Sequence, residues 1–595
     1  MPSRHLHLLS SLSLISFLSG CNLPDPPPAD GSTPTAPETG PVPDESDQAL
    51  GDCVNEGAVV ETLLSDRCGA CHDNGSIQGG LGGITDIDNL IERGLIVPGN
   101  AIDSGVYKKV ESGQMPLDGE KLNDGELATL SAYIDVCTVL EKDAEDVSLT
   151  EKPKCADENV IIPVDDVLAA IRDDIVGLDN AEATTTRYLT LSHLYGAGYC
   201  ENQIEGYRHA LIKLLNHLSQ SPFIREPYAI DEARTIYRIN LFDYKWTTDT
   251  WESITRADPY AITFTSEDAL DIRDSADVDL FSIKADWFID AASQPPLYHT
   301  ILEIPLTRFE LEASLGLDVA ANIADELSFD RDEVARSGFQ ESGVSFSNRI
   351  IERHQLALSE KRAYWLSYDF ARANDGQVLP PEKDILESPL DFVADGGEII
   401  FNLPNGLQGY MLVDAFGDRI DRGPLNVVHD QEVGEEPEVI NGLSCISCHS
   451  EGMRLKADEV AAFAKGNSDF STKEREDIAR LYAPADVFAA LQQRDIATFV
   501  EAMEKTGALR RVDGREPVMA VHLAFDGRLD LRRAAAEFGV PESEVLKNLG
   551  ELRDMSTLDR ATVTRDEFQD NFAFNACVLL LGETAACSTS VPTAD

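Results

Sequence analysis

Apolar residues in the stretch 206 to 220, GYRHALIKLLNHLSQ, recur at Ala210, Leu211, Leu214, Leu215 and Leu218, a spacing that lines one face of a helix. RTIYRINLFDY, which follows at 234, alternates apolar and polar positions instead, the pattern of a half-buried strand. Further on, GGEIIFNLPNGLQGYMLVDAFGDRID holds two β-rich runs around Pro404-Asn405-Gly406 and a second turn at Phe416-Gly417-Asp418. This predicts an antiparallel meander. From 455 onwards the pattern turns helical, through Ala457 to Phe463, PADVFAALQQRDIATFVEAME and ELRDMSTLDRATVTRDEFQDNF. Near the amino terminus Val59, Val60, Leu63 and Leu64 are helically spaced, and Asn123 or Asp124 caps a helix whose Leu127, Leu130, Tyr133 and Ile134 face inward.

The amino-terminal end of the chain differs from the rest. Arg4 with His5 and His7, then the serine-broken apolar run Leu8 to Leu18, then Leu18-Ser19-Gly20-Cys21, read as a signal peptide over residues 1–20. Residues 21–50, rich in proline and acid, cannot bury a core and form an extended tether. Leu-Ser-Gly-Cys resembles the lipobox of bacterial lipoproteins, which implies lipidation at Cys21 and, with Asn22 after it, the outer membrane. Contact with the membrane is then through the lipid anchor alone, on a periplasmic protein.

Length and charge narrow the classes. A chain of 595 residues exceeds one hydrophobic core, and 105 acidic against 49 basic side chains give a formal charge of −56. That charge excludes nucleic acid as a partner and describes a heavily solvated surface.

The chemistry lies in two short motifs. Cys68-Gly-Ala-Cys71-His72 follows the first helical run, and 43 positions after His72 comes Met115-Pro116, where proline holds the chain extended and able to present a thioether. Two thiols spaced to reach adjacent pyrroles, with a histidine turning under the ring, are the minimal requirement for covalent haem. The order of helix, Cys-x-x-Cys-His, glycine-rich loop at Gly79 to Gly83, Met-Pro and closing helix resembles class I cytochrome c over residues 51–142. The resemblance implies an all-α domain with His72 proximal, Met115 distal and thioether links at Cys68 and Cys71. A methionine and a histidine as axial ligands raise the potential and suit electron transfer.

Cys445-Ile-Ser-Cys448-His449 repeats the motif. Composition predicts about 0.004 chance matches in a chain of this kind, and neither a βαβ redox context nor further zinc ligands surround it. A second covalent haem c with His449 proximal is therefore expected. Its sixth ligand stays open: Met453 lies four residues from His449, a span of about 13 Å at most, too short to round the porphyrin edge with slack. Met503, Met519, His522, His429 and Met411 remain in range, as do a lysine, an asparagine or an open position.

Removing Cys21 and the four haem cysteines leaves Cys53, Cys137, Cys155, Cys200, Cys577 and Cys587. An even number suits an exported, bridged protein, with fifteen pairings allowed by sequence alone. Position along the chain favours 53 with 137, 155 with 200, and 577 with 587. The histidines at 193, 209, 217, 299, 354 and 429 are scattered without metal spacing, and no dinucleotide, P-loop or serine-nucleophile pattern occurs.

The sequence thus predicts a multidomain chain: an all-α class I cytochrome c domain at 51–142, an α+β middle domain of unassigned role at 156–430, and a mostly α-helical haem region at 431–595. The middle, running into the second motif, is similar to large secreted bacterial proteins with a late haem motif, a resemblance that supplies no mechanism. The function expected is a membrane-anchored dihaem cytochrome exchanging electrons with periplasmic redox proteins. Two alternatives stand beside it: a peroxidase-like or oxidase-like enzyme with an open second haem, and a binding module with auxiliary haems.

Overall fold

The computed structural model describes residues 60–134 apart from 61–62, 70–71, 73–83, 86, 94, 98–99 and 116–120, and residues 161–581 apart from 330–333, 340–347, 357–361, 371–379, 424–437 and 513. The chain divides into two compact units, Met1–Ser148 and Leu149–Asp595.

In the first unit a π-helical turn, Ser65–Gly69, is followed by short helices α1 (Ile87–Glu92), α2 (Gly105–Glu111) and α3 (Asp124–Ala132). Their apolar faces share a core of Val60, Leu64, Leu90, Ile96, Val110, Leu130 and Ile134. Asn123 is the residue that caps α3. Its side chain accepts from the amides of Gly125 and Glu126 at 2.9 and 3.0 Å, and Glu126 returns a bond to the Asn123 amide at 2.8 Å. This reciprocal capping box is worth about 1 kcal/mol.

The second unit opens with α4 (Val164–Ile175), β1 (Thr186–Thr190), α5 (Ser192–Gly196) and α6 (Glu201–His217). It continues through β2 (Tyr228–Ala229), β3 (Ile236–Asn240), α7 (Glu267–Ala276), β4 (Ser282–Lys284) and α8 (Ala285–Ala292). Strands β5 (Val334–Phe339), β6 (Arg349–Gln355), β7 (Ala363–Asp369), β8 (Gly396–Asn402), β9 (Gln408–Asp414), β10 (Arg419–Ile420), β11 (Arg422–Gly423) and β12 (Val439–Ile440) come next. Helices α9 (Leu443–Cys448), α10 (Ala485–Thr506), α11 (Pro517–Phe525), α12 (Leu531–Phe538) and α13 (Phe572–Leu581) complete it, with further helices, among them Thr248–Ala257, Val319–Phe329 and Thr472–Leu481, between the named elements.

Two larger sheets organise this unit. The first has order β2-β3-β1-β4, with β1 antiparallel to β3 and parallel to β4. Successive residues of β1 serve opposite faces: Tyr188 joins the core made with α4 and α7, and Leu189 joins the core made with α6. The second sheet is six-stranded and antiparallel, β10-β9-β8-β7-β6-β5. Its β8 and β9 pair from Gly396↔Asp414 to Asn402↔Gln408, with β10 beyond, which is the meander that the alternation predicts.

The fold class expected from the sequence is corrected here. Among the described residues the structure is mixed, 49% helical and 15% strand with three sheets, and is not that of an all-α cytochrome domain, whereas the α+β middle is compatible with it. In the first unit the described helices are only six, seven and nine residues long. The carboxy-terminal helices make no core of their own. Phe488, Phe499 and Met503 of α10 and Val518 and Met519 of α11 share one core with Trp365, Ile399, Tyr410 and Met411 of the six-stranded sheet. The physical reason is that a sheet with an apolar face must bury it, and these helices supply the cover. Helix α11 packs on α6, α8 and α9, and a buried ion pair, Lys213 Nζ to Glu516 Oε1 at 2.8 Å, pins its start to α6. The run 551 to 572 is helical only over Arg565–Asp570 and at Phe572, because Val563 is drawn into antiparallel bridging with Leu529.

Buried Asp258 caps the end of the helix Thr248–Ala257 and accepts the Tyr260 amide at 2.8 Å. Burial pushes its carboxyl up to about 7, partly opposed by that amide and by Lys284. A carboxyl that holds its proton more tightly folded than unfolded costs stability as pH rises from the unfolded value near 4 to about 7. Asp258→Asn keeps the acceptor and removes the charge. Its stability relative to the parent should therefore improve across that window by on the order of 4 kcal/mol, measured as urea midpoints at pH 4.5 and 8. A gap that does not change with pH would contradict the assignment.

Candidate functional site

In the first unit the π-helical turn carries Cys68, and Met115 follows α2 with its amide donating to the Lys109 carbonyl at 2.9 Å. Both side chains are half-buried against one core. The carbonyl of His72 accepts the Ile84 amide at 3.0 Å. Arg67, beside Cys68, reaches Glu126 on α3 at 2.6 Å, so the turn bearing the motif is tied to the closing helix. The Glu126 carboxylate is held below its usual range, first by the Asn123 amide and then by Arg67. Cys71, Pro116 and the glycines at 79 to 83 lie outside the described residues.

The second motif is built more completely. Gly442 precedes α9 at φ +84°, where an added Cβ would lie 2.4 Å from the Ser293 carbonyl oxygen, so only glycine fits. Ser444 Oγ accepts the Ile440 amide at 3.0 Å, seating α9 against β12. Cys445 is buried and Cys448 half-buried, and His449 ends the helix. Nδ1 of His449 is 3.1 Å from the Gly452 carbonyl. A carbonyl can only accept, so Nδ1 carries the proton and Nε2 keeps its lone pair. Burial lowers the pKa of the ring, and Tyr410 stacks on it at 5.9 Å.

Nε2 faces a large cavity. The cavity is open to solvent. Cys445, Cys448 and His449 all line it, opposite Trp365 of β7, Glu398 and Ile400 of β8, and Leu412 and Val413 of β9. Glu398 Oε1 stands 3.7 Å from Nε2. Behind it buried Arg349 pairs with Asp369 at 2.5 Å and lies 3.8 Å from Glu398. Arg454 and Lys456 add positive charge to the lining, a match for carboxylate groups on an occupant.

Sequence reasoning located the thiols and the histidine but missed Arg349, Glu398 and Trp365, which come from strands with no motif. Among the ligand candidates for the second iron, Met411, Met503 and Met519 are buried in the core and none is among the described residues lining the cavity, whereas Met453 is. His522 is engaged by Asp290 at 2.6 Å, and His429 lies outside the described residues.

Cys68, Cys445 and Cys448 form no disulfide, and Cys200 and Cys577 are each disulfide-bonded. Cys155 and Cys587, expected as their partners, lie outside the described residues, as do Cys53, Cys137 and the lipidation candidate Cys21. No helix among the described residues is long and apolar enough to cross a membrane. No family model, curated protein or solved structure matches the chain.

Proposed function

We propose that the chain is a lipid-anchored dihaem c-type protein of the bacterial periplasm that passes electrons to and from redox partner proteins. One haem would be held by Cys68, Cys71, His72 and Met115, the other by Cys445, Cys448 and His449. The observation that carries this reading is the second motif, whose two thiols and histidine line one solvent-open cavity with Nδ1 of His449 bonded to a carbonyl. That bond orients an imidazole for iron in the way second-shell carbonyls orient metal-bound histidines. Haem with a histidine and a methionine supplies outer-sphere electron transfer at a raised potential.

One observation favours a second reading. The core methionines are withdrawn from the second cavity, which stays continuous with solvent and presents Glu398. A peroxidase-like or oxidase-like role with an open iron position follows from that. Paramagnetic resonance of the ferric protein separates the two: two low-spin signals support electron transfer, and a high-spin signal abolished by His449→Ala supports the enzyme. Met115→Ala should erase the whole near-infrared methionine-to-iron band and leave the second haem unchanged. Survival of that band would remove Met115 as a ligand.

A further inference from the structure

Three side chains scattered along the sequence converge at a buried point in the second unit, away from the haem motif in sequence. His193 is the second residue of α5, just past β1, and Asp286 is the second residue of α8, just past β4. These strands are parallel neighbours, registered Thr190↔Lys284, so both residues leave from adjacent carboxyl ends. Glu537 of α12 completes the group. One ligand atom from each lies within 4.8 Å of the others, and the residues are 8%, 0% and 5% exposed.

The hydrogen bonding here is incomplete. His193 Nε2 is 3.0 Å from Asp286 Oδ2, yet out of line for a ring N–H to reach it. Neither that nitrogen nor either carboxylate oxygen of Asp286 makes a hydrogen bond. Buried carboxylates are rarely left so, because desolvating an ion without compensation is costly. Glu537 by contrast is held in place, Oε2 by Lys284 at 2.7 Å and Oε1 by Arg565 at 2.9 Å. Each of its oxygens keeps a lone pair for a further partner.

We propose that His193, Asp286 and Glu537 form a divalent transition-metal site. One imidazole and two carboxylates suit zinc or manganese, and three protein ligands leave a coordination position open. An adjoining solvent-open cavity, lined by His193, Glu537, Asp258, Tyr260 and Lys284, provides entry for a metal ion and a bound water. Lys284 and Arg565 act as outer-shell partners that orient Glu537. With Asp258 ionised, the three carboxylates outnumber these two cations, so an incoming metal ion meets net negative charge. A site of this composition lowers the pKa of a bound water and so fits metal-assisted hydrolysis. It stands independently of the haem assignment.

The test uses the tag-free full-length protein, stripped with chelator and titrated separately with zinc chloride and manganese chloride at pH 8. The readouts are elemental analysis of the protein after gel filtration, and the unfolding midpoint. Wild type should retain one equivalent of zinc or manganese and gain thermal stability, whereas Asp286→Asn and His193→Gln should each bind at least about tenfold more weakly. Folding of both variants is checked by circular dichroism, and Asp286→Asn, being isosteric, removes a buried charge without a change of shape. Failure of the wild type to retain either metal overturns the proposal, as does equal retention by a folded Asp286→Asn protein.

Discussion

Replacing Cys445 and Cys448 together by serine is expected to halve the covalent haem content, from two groups per chain to one, by pyridine haemochrome assay and intact mass. Each thioether bond needs its own sulfur, and the two cysteines stand one helical turn apart on α9, both lining the same cavity. Burial pushes the Cys445 thiol up, so it stays protonated and resists stray oxidation before attachment. Serine is close to cysteine in size, so α9 should still form on Gly442 and Ser444. The cavity, however, would no longer keep the haem proposed for it, and lower thermal stability should accompany that loss. His449→Ala separates the roles, keeping the covalent group while altering only its iron spectrum. Unchanged haem content in the double serine variant would end the assignment of this motif.

The largest loss of stability is expected from Asp495→Leu. This carboxylate on α10 is 1% exposed and accepts four bonds: Arg353 Nε at 2.8 Å, Arg353 Nη2 at 3.3 Å, the Trp365 indole N–H at 2.9 Å and, more weakly, Arg494 Nε at 3.4 Å. Arg353 lies 5.9 Å over the Trp365 ring, and Trp365 meets Phe488 of α10 edge-on at 5.9 Å. The network therefore clamps α10 to the sheet beside the wall of the second cavity, which Trp365 lines. Leucine matches the volume and leaves a guanidinium, itself 3% exposed, buried without its counter-charge. Breaking one side of such a pair costs about 3–5 kcal/mol, read as a fall in urea midpoint. The double variant Arg353→Met with Asp495→Leu should recover most of that, because two apolar groups carry no desolvation penalty. The spectrum of the second haem should shift in the single variant and the first should not. A cost below about 1 kcal/mol would show that the clamp does not hold the wall.

Much of the local structure was legible. The meander over 396 to 420 could be read because two apolar runs flanked turns at Pro404-Asn405-Gly406 and Phe416-Gly417-Asp418, and side chains in strands alternate regardless of distant neighbours. The helix Glu201–His217 and the Asn123 cap were legible for the same reason, since a capping box and a 3.6-residue period are satisfied within a few positions. The run 551 to 572 misled because its apolar residues have helical spacing while Val563 pairs with Leu529, a partner outside any local window. Periodicity also hides what α10 and α11 cover: their apolar faces look like those of an independent bundle until the sheet they pack on is known.

The sequence by itself determined what is local: two Cys-x-x-Cys-His motifs, the excess of carboxylates, and the periodicity of individual elements. Only the tertiary structure decided what surrounds that chemistry. Glu398 faces His449 and Arg349 stands behind it because β6 and β8 flank β7 in one sheet. His193, Asp286 and Glu537 meet because two parallel strands and a helix from the far end of the chain converge. A residue's type and spacing record the bonds it makes along the chain, whereas a cavity or a cluster of ligands is a product of which faces must be buried together, and that is settled by packing.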